Sequence, residues 1–401
     1  MKKIKSMVSA GLAAALLVAC GGGGGNSASR ISFSSMVNFG DSLSDVGTYA
    51  VGAVAAPVAL GGGAGGRFTV NSGTATPAKI WVDFVATDLS LPAPCAAVKG
   101  LDGNAAFGFS VPAAPQAACT NYAQGGARVT NPVGPGNKLL GGGNAVLGQL
   151  TYPLARQVAD HLSRNASAFN PKSLVTVFAG GNDVFMQGAV AGAAAGINPA
   201  DPTTIAAFTN TAANLGGWSA AQIGAVLSGG GQNAVVGGLL ANMGKAGTEQ
   251  ADLIKTQIIA KGAKYVLVVN LPNVGATPNG FDAGTQTAAL STAMSQAFNK
   301  GLLDGLVGVS EVAYADAFAT STDQFNNPSK YGLSNVTSRA CKAGPTSGNI
   351  LGGAALTCNP SNVIAGNIST YGFSDDVHPS PFGHQLLGNF ILEVLAAKGW
   401  R

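Results

Sequence analysis

Val37-Asn38-Phe39-Gly40-Asp41-Ser42-Leu43-Ser44-Asp45 is a short apolar run that stops at a glycine and then presents a serine. A strand ending in this way, just ahead of a helix start, delivers a hydroxyl to the C-terminal edge of a parallel sheet, where open α/β folds place their sites. The pattern recurs at Ser173-Leu174-Val175-Thr176-Val177-Phe178, a continuous apolar run of buried-strand length that stops at Ala179-Gly180-Gly181-Asn182-Asp183. Two strands that each end in glycine and a small polar side chain predict one sheet edge carrying both Ser42 and Asn182.

Working outward, the first strand is expected over residues 31–39, followed by a Gly/Ala/Pro-rich excursion over 50–80. A helix is predicted at 78–85, with Ile80, Trp81, Phe84 and Val85 on one face. Residues 91–150 are rich in turn formers without periodicity and read as loop. The 153–164 helix carries Leu154, Val158 and Leu162 on one stripe and His161 on another, which predicts a solvated histidine. Residues 184–250 read as a helical excursion over the sheet edge, either lining a substrate entrance or serving as a spacer without function. Beyond it come a helix at 249–261, a strand at 265–270 closed by Leu271-Pro272-Asn273, a helix at 287–303, a short strand at 311–316 and a helix at 382–397. Phe382, Leu386, Phe390, Ile391, Val394 and Leu395 are its predicted core face. Strands separated by helices mean βαβ units: an α/β fold with a parallel sheet covered on both faces. A single domain over 31–401 is expected, with the insertion at about 184–250.

Composition narrows the setting. Of 401 residues, 46% are hydrophobic, only 10% are charged and 58 are glycine, the style of an exported protein with long loops. The net charge is +4, but Lys2, Lys3 and Lys5 account for most of it, so no electrostatic footprint for nucleic acid remains. The basic start followed by apolar residues 7–19 reads as an export signal, too short to span a bilayer comfortably. It ends in Leu17-Val18-Ala19-Cys20, which resembles a lipoprotein processing box. Residues 1–19 are therefore expected to be removed, Cys20 to be acylated and anchored to a membrane, and 20–30 to act as a glycine-rich tether. The alternative is an ordinary secretory peptide that happens to contain a cysteine, leaving a secreted or periplasmic protein. The remaining Cys95, Cys119, Cys341 and Cys358 make an even number in an exported chain, which favours disulfides. Of three possible connectivities, Cys95–Cys119 with Cys341–Cys358 is the simplest. Zinc is disfavoured, since no CxxC or neighbouring histidine accompanies them.

The last candidate group is Ser374-Asp375-Asp376-Val377-His378-Pro379-Ser380, just ahead of the C-terminal helix. Acyl transfer needs a base of near-neutral pKa to take a serine proton, and a third group to orient that imidazole. His378, with Asp375 three positions earlier on a loop stiffened by Pro379, can supply both. His384 competes as base, but lacks a neighbouring carboxylate and is expected to point along the helix side.

Gly40-Asp41-Ser42-Leu43, Gly126 within Asn121-Tyr122-Ala123-Gln124-Gly125-Gly126-Ala127, Gly181-Asn182-Asp183, and Asp375-x-x-His378-Pro379-Ser380 together resemble the four blocks of the GDSL (SGNH) hydrolase family, in the family's order. Gly66-Arg67-Phe68 and Leu271-Pro272-Asn273 resemble its branch of larger secreted esterases and phospholipase-like enzymes. The resemblance implies a flavodoxin-like three-layer α/β/α sandwich and hydrolysis of carboxylic esters through an acyl-enzyme, without a cofactor or metal. It implies Ser42 as nucleophile, His378 as base and Asp375 as the orienting acid, with Asp376 the adjacent alternative. It also implies an oxyanion hole from the Ser42 and Gly126 N–H groups and the Asn182 amide, with Gly125 replacing Gly126 if the register slips by one. Gly47-Thr48 departs from the Gly-Asn that family members commonly show there, which bears on substrate contacts. No G-x-S-x-G elbow, P-loop or H-E-x-x-H occurs. The competing expectations are a phospholipase, lipase or acyltransferase acting on lipid esters, a carbohydrate deacetylase, disfavoured by only three tryptophans and seven tyrosines, and a non-catalytic surface lipoprotein binding module on a decayed hydrolase scaffold.

Overall fold

The computed structural model describes residues 31–55, 65–72, 77–344 and 346–401. The expected export signal, Cys20 and the tether lie outside them. Eight strands run in chain order: β1 Ser35–Gly40, β2 Val98–Asp102, β3 Ser110–Pro115, β4 Ser173–Phe178, β5 Tyr265–Val269, β6 Val312–Ala315, β7 Asn335–Arg339 and β8 Tyr371–Phe373. Four of them form the central parallel sheet in the order β1-β4-β5-β6. Val37 lies beside Val175, Val175 beside Val266 and Val266 beside Val312. Beyond β1 the chain adds one more rung, the Asn38 N–H donating to the Thr120 carbonyl and the Tyr122 N–H to the Asn38 carbonyl.

Strand alternation explains the three layers. Successive side chains point to opposite faces, so Val37, Phe39, Val175, Val177, Val266 and Val268 pack one face against the helices Leu154–Arg164, Gly181–Ala195, Gly231–Leu253 and Thr285–Leu306. Met36, Leu174, Phe178, Leu267, Val269 and Ala315 pack the other against the helices Trp81–Asp88 and Pro381–Ala397. Both faces being buried, these strands carry few polar residues, and Asn38 and Thr176 satisfy each other through a 2.7 Å hydrogen bond. Truncation of the fully buried Phe39 to alanine would cost roughly 3–5 kcal/mol.

The structure departs from the sequence reading in four places. Residues 91–150 contain the antiparallel hairpin β2–β3, whose second strand is mostly exposed, and β7 and β8 form a further two-stranded sheet. His161 is buried, with its ring stacked on Phe169 at 4.4 Å and edge-on to Phe39, because the 165–170 turn folds back over the helix. In the C-terminal helix Ile391 and Leu395 are buried as expected, joined by His384, Gly388 and Leu392. Leu386 and Phe390 instead line a cavity. Finally, the 184–250 segment forms the helices from Gly181–Ala195 to Gly231–Leu253, yet it sends only Phe185 into the cavities around Ser42. Its helices pack on the sheet face rather than walling an entrance.

The sulfurs of Cys95 and Cys119, and of Cys341 and Cys358, are joined. Two disulfides fit an oxidising compartment outside the cytoplasm.

Candidate active site

β1 must finish hard against the end of β4 for Ser42 to stand at the sheet edge. Gly40 makes this approach possible: a Cβ there would sit 2.2 Å from the Phe178 carbonyl oxygen. The Asp41 N–H then donates to that carbonyl, and the Asp41 carboxylate accepts the Leu43 N–H at 3.0 Å, closing the turn around Ser42.

His378 Nε2 lies 2.9 Å from Ser42 Oγ. On the other side of the ring, Nδ1 is 2.8 Å from each Asp375 oxygen. The same carboxylate accepts the N–H groups of His378 and Ala355 at 2.9 and 2.8 Å, so it is fixed from both sides. Burial works to raise the Asp375 pKa, but the His378 charge and these hydrogen bonds outweigh it and hold the group at about 2. Burial works to lower His378, and the facing Asp375, with Asp41 and Asp376 further off, carries it above its usual 6.5. Asp376 turns outward into ion pairing with Arg339. His384 is wholly buried in its helix, and burial lowers its pKa to about 3.

Ser42, Gly126, Asn182 and His378 line one basin of about 340 Å³. One N–H of the Asn182 amide donates to the Ala127 carbonyl at 2.8 Å, which fixes the amide and leaves its second N–H to offer. The Gly125 N–H is taken by Asp45 at 3.0 Å. Among the described residues no acceptor takes the Gly126 N–H. Gly126 has φ +77°, and a Cβ there would lie 2.1 Å from the Pro135 carbonyl oxygen. Only glycine meets both demands.

Several residues that support this arrangement were not singled out from sequence. Buried Asp45 accepts the N–H groups of Gly47, Thr48 and Gly125, tying the serine turn to the glycine loop; burial lifts it to about 6 against those three bonds. Arg128 and Asp183 form a buried ion pair at 2.8 Å that ties the glycine loop to the end of β4. The Phe68 ring packs 4.9 Å from the His378 ring, while Val70 N–H and Thr69 Oγ1 bind Ser374 Oγ and the Pro379 carbonyl, bracing the histidine loop. Asp45 lies inside the opening stretch and Phe68 inside a recognised block, but neither role can be read without the tertiary contacts. Among the described residues no three His, Cys, Asp or Glu side chains cluster as metal ligands.

A hydroxyl hydrogen-bonded to an imidazole that is itself held by an ionised carboxylate can attack a carbonyl, and N–H groups lining the same basin are of the kind that can stabilise the resulting oxyanion. The family model for GDSL-like lipase/acylhydrolase matches residues 36–391. A GDSL esterase/lipase of Arabidopsis thaliana is 27% identical over 146 residues, which make up 33% of this chain and 39% of that protein. The GDSL esterase/lipase APG of the same organism is 28% identical over 148 residues, 34% of this chain and 40% of that protein. An uncharacterized protein of Pseudomonas putida is 28% identical over 141 residues, covering 34% and 22%. The chain thus spans about two fifths or less of the length of these relatives.

Proposed function

Because the chain belongs to the GDSL-like lipase/acylhydrolase family, we propose that it is a serine hydrolase of carboxylic esters, working through an acyl-enzyme on Ser42. The observation that carries this is the continuous relay from Ser42 Oγ to His378 Nε2 at 2.9 Å and from His378 Nδ1 to Asp375 at 2.8 Å. Ser42 Oγ attacks the ester carbonyl as His378 Nε2 takes its proton. The carbonyl π electrons move to oxygen, where the N–H groups of Ser42 and Gly126 and the Asn182 amide receive the negative charge. Collapse breaks the bond to the alcohol, which leaves with the proton from His378. Water, deprotonated by the same nitrogen, then attacks the acyl carbon and releases a carboxylic acid, regenerating Ser42. Asp375 keeps Nδ1 protonated and stabilises the imidazolium without itself taking the proton.

An esterase activity on soluble esters is the leading reading, and lipid esters are the second, favoured by the apolar walls near Ser42. A binding module on a decayed scaffold is disfavoured by the intact relay. Export with acylation of Cys20 rests on the basic start, the short apolar run and the two disulfides. Purified Ser42→Ala and His378→Ala variants test the activity. Turnover of p-nitrophenyl esters should vanish in both at near-unchanged melting temperature, and survival of turnover in either would sink the proposal.

A further inference from the structure

Beside Ser42 lies a small cavity of about 50 Å³ lined by Leu43, Pro272, Thr277 and Val377 together with Asn182 and His378. Those first four residues also line a second, larger cavity of about 110 Å³. This second chamber lies between the helices Ala317–Asn326 and Pro381–Ala397 and the β7–β8 sheet, and neither Ser42 nor His378 is among its lining residues. Its walls are mostly apolar, including Phe178, Phe325, Leu333, Leu386 and Phe390, and no charged residue lines it. The basin on the Gly126 side is different: it is wider, and Asn144, Gln149, Asn279 and Asp376 stand among its lining residues.

Resting on the hydrolase reading above, we propose that the apolar chamber takes the acyl chain of the substrate and sets its length, while the alcohol faces the polar basin. The acyl carbon bonds to Ser42 and so stays until water arrives, which suits a sheltered apolar pocket. The alcohol must receive a proton from His378 and depart, which suits the wider basin. If a methylene fills roughly the ~30 Å³ of a water, the two cavities hold about five methylenes. The preferred acyl group is then of about six to eight carbons. Each methylene entering the chamber raises kcat/KM about fourfold. Thr320, on the helix Ala317–Asn326, faces the chamber without touching Ser42, His378 or Asn182, and is the specificity-determining residue open to substitution.

The experiment compares p-nitrophenyl esters from acetate to laurate with wild type and Thr320→Trp, then varies the alcohol at fixed acyl length. Independently, melting temperature is followed on adding octanoate to Ser42→Ala, with and without Thr320→Trp. The expected result is a wild-type optimum near hexanoate to octanoate, displaced to acetate or butyrate by Thr320→Trp with acetate turnover retained. Octanoate should stabilise Ser42→Ala and lose that effect when Thr320→Trp is added. A flat acyl profile, a length dependence that follows the alcohol, or no change with Thr320→Trp overturns the chamber's role while ester hydrolysis stands. If no ester turns over yet octanoate still binds in a Thr320-dependent way, the chamber stands as an apolar-chain site and the hydrolase reading fails.

Discussion

Replacing Asn182 by alanine removes the proposed side-chain oxyanion donor and leaves Ser42, His378 and Asp375 in place. The residue is only 6% exposed, and among the described residues its side chain makes a single hydrogen bond, from Nδ2 to the Ala127 carbonyl. Two losses follow. The orphaned carbonyl costs about 1–3 kcal/mol of stability, which in a chain of this size lowers the melting temperature by less than about 4 °C. The missing donor costs about 2.7–4 kcal/mol of transition-state stabilisation, a fall in kcat of roughly 10²–10³. Because the negative charge develops in the transition state and tetrahedral intermediate and is absent from the bound ester, KM should change little. Steady-state kinetics on p-nitrophenyl butyrate, run beside a thermal melt, separates the two effects. Asn182→Asp, of nearly the same shape but bringing a negative charge towards the oxyanion, should be at least as slow. A kcat within about fivefold of wild type in Asn182→Ala, at 20 °C and with the fold intact, would refute the placement of the oxyanion at this amide.

Three further outcomes follow from the charges and crosslinks. His378 must be neutral to act as a base and its pKa lies above 6.5, so kcat/KM should rise with pH through a midpoint above 6.5. Asp375→Asn should move that midpoint down and lower kcat by up to roughly 10⁴; an unmoved acid limb would contradict the pairing. Burial depresses His161 to about 4, so the folded state resists a proton that the unfolded chain takes up below about 6.5. Stability is therefore lost as pH falls from 6.5 towards 4, by on the order of 3 kcal/mol. Buried His384, lowered to about 3, adds to the same fall, so His161→Phe should lessen it in melts at pH 7.5 and 4.5, and an equal fall in both proteins would exclude a His161 contribution. Removing the 341–358 disulfide, which closes a 17-residue separation, should cost about 3 kcal/mol. It should also slow turnover, since Cys341 N–H and the Ala355 N–H beside Cys358 hold Ser374 and Asp375; unchanged kcat in the double Cys→Ala variant would show the Asp375 loop to be held without it.

How legible the molecule was depends on what each element buries. β1, β4 and β5 read directly from sequence because strands covered on both faces must be continuously apolar. The 381–397 helix announced itself by the spacing of its apolar residues. The β2–β3 hairpin did not, because Ser110-Val111-Pro112-Ala113-Ala114-Pro115 is largely exposed and shows no alternation to detect. His161 was misplaced because helix spacing says which residues share a stripe, and not that the 165–170 turn folds over it. At the site, Ser42 and His378 were visible as polar residues delivered at the ends of apolar elements. Asp45 was not, since its partners are backbone N–H groups supplied from two loops about 80 residues apart in sequence. The apolar chamber was equally hidden, its walls coming from segments scattered between Leu43 and Phe390.

The most direct test is covalent. Folded protein treated with a fluorophosphonate and digested for mass spectrometry should carry one phosphonyl group, on Ser42, and His378→Ala should abolish that labelling at equal exposure. Ester turnover accompanied by labelling at another residue, or by no labelling of Ser42, would contradict the assignment of this serine as the nucleophile.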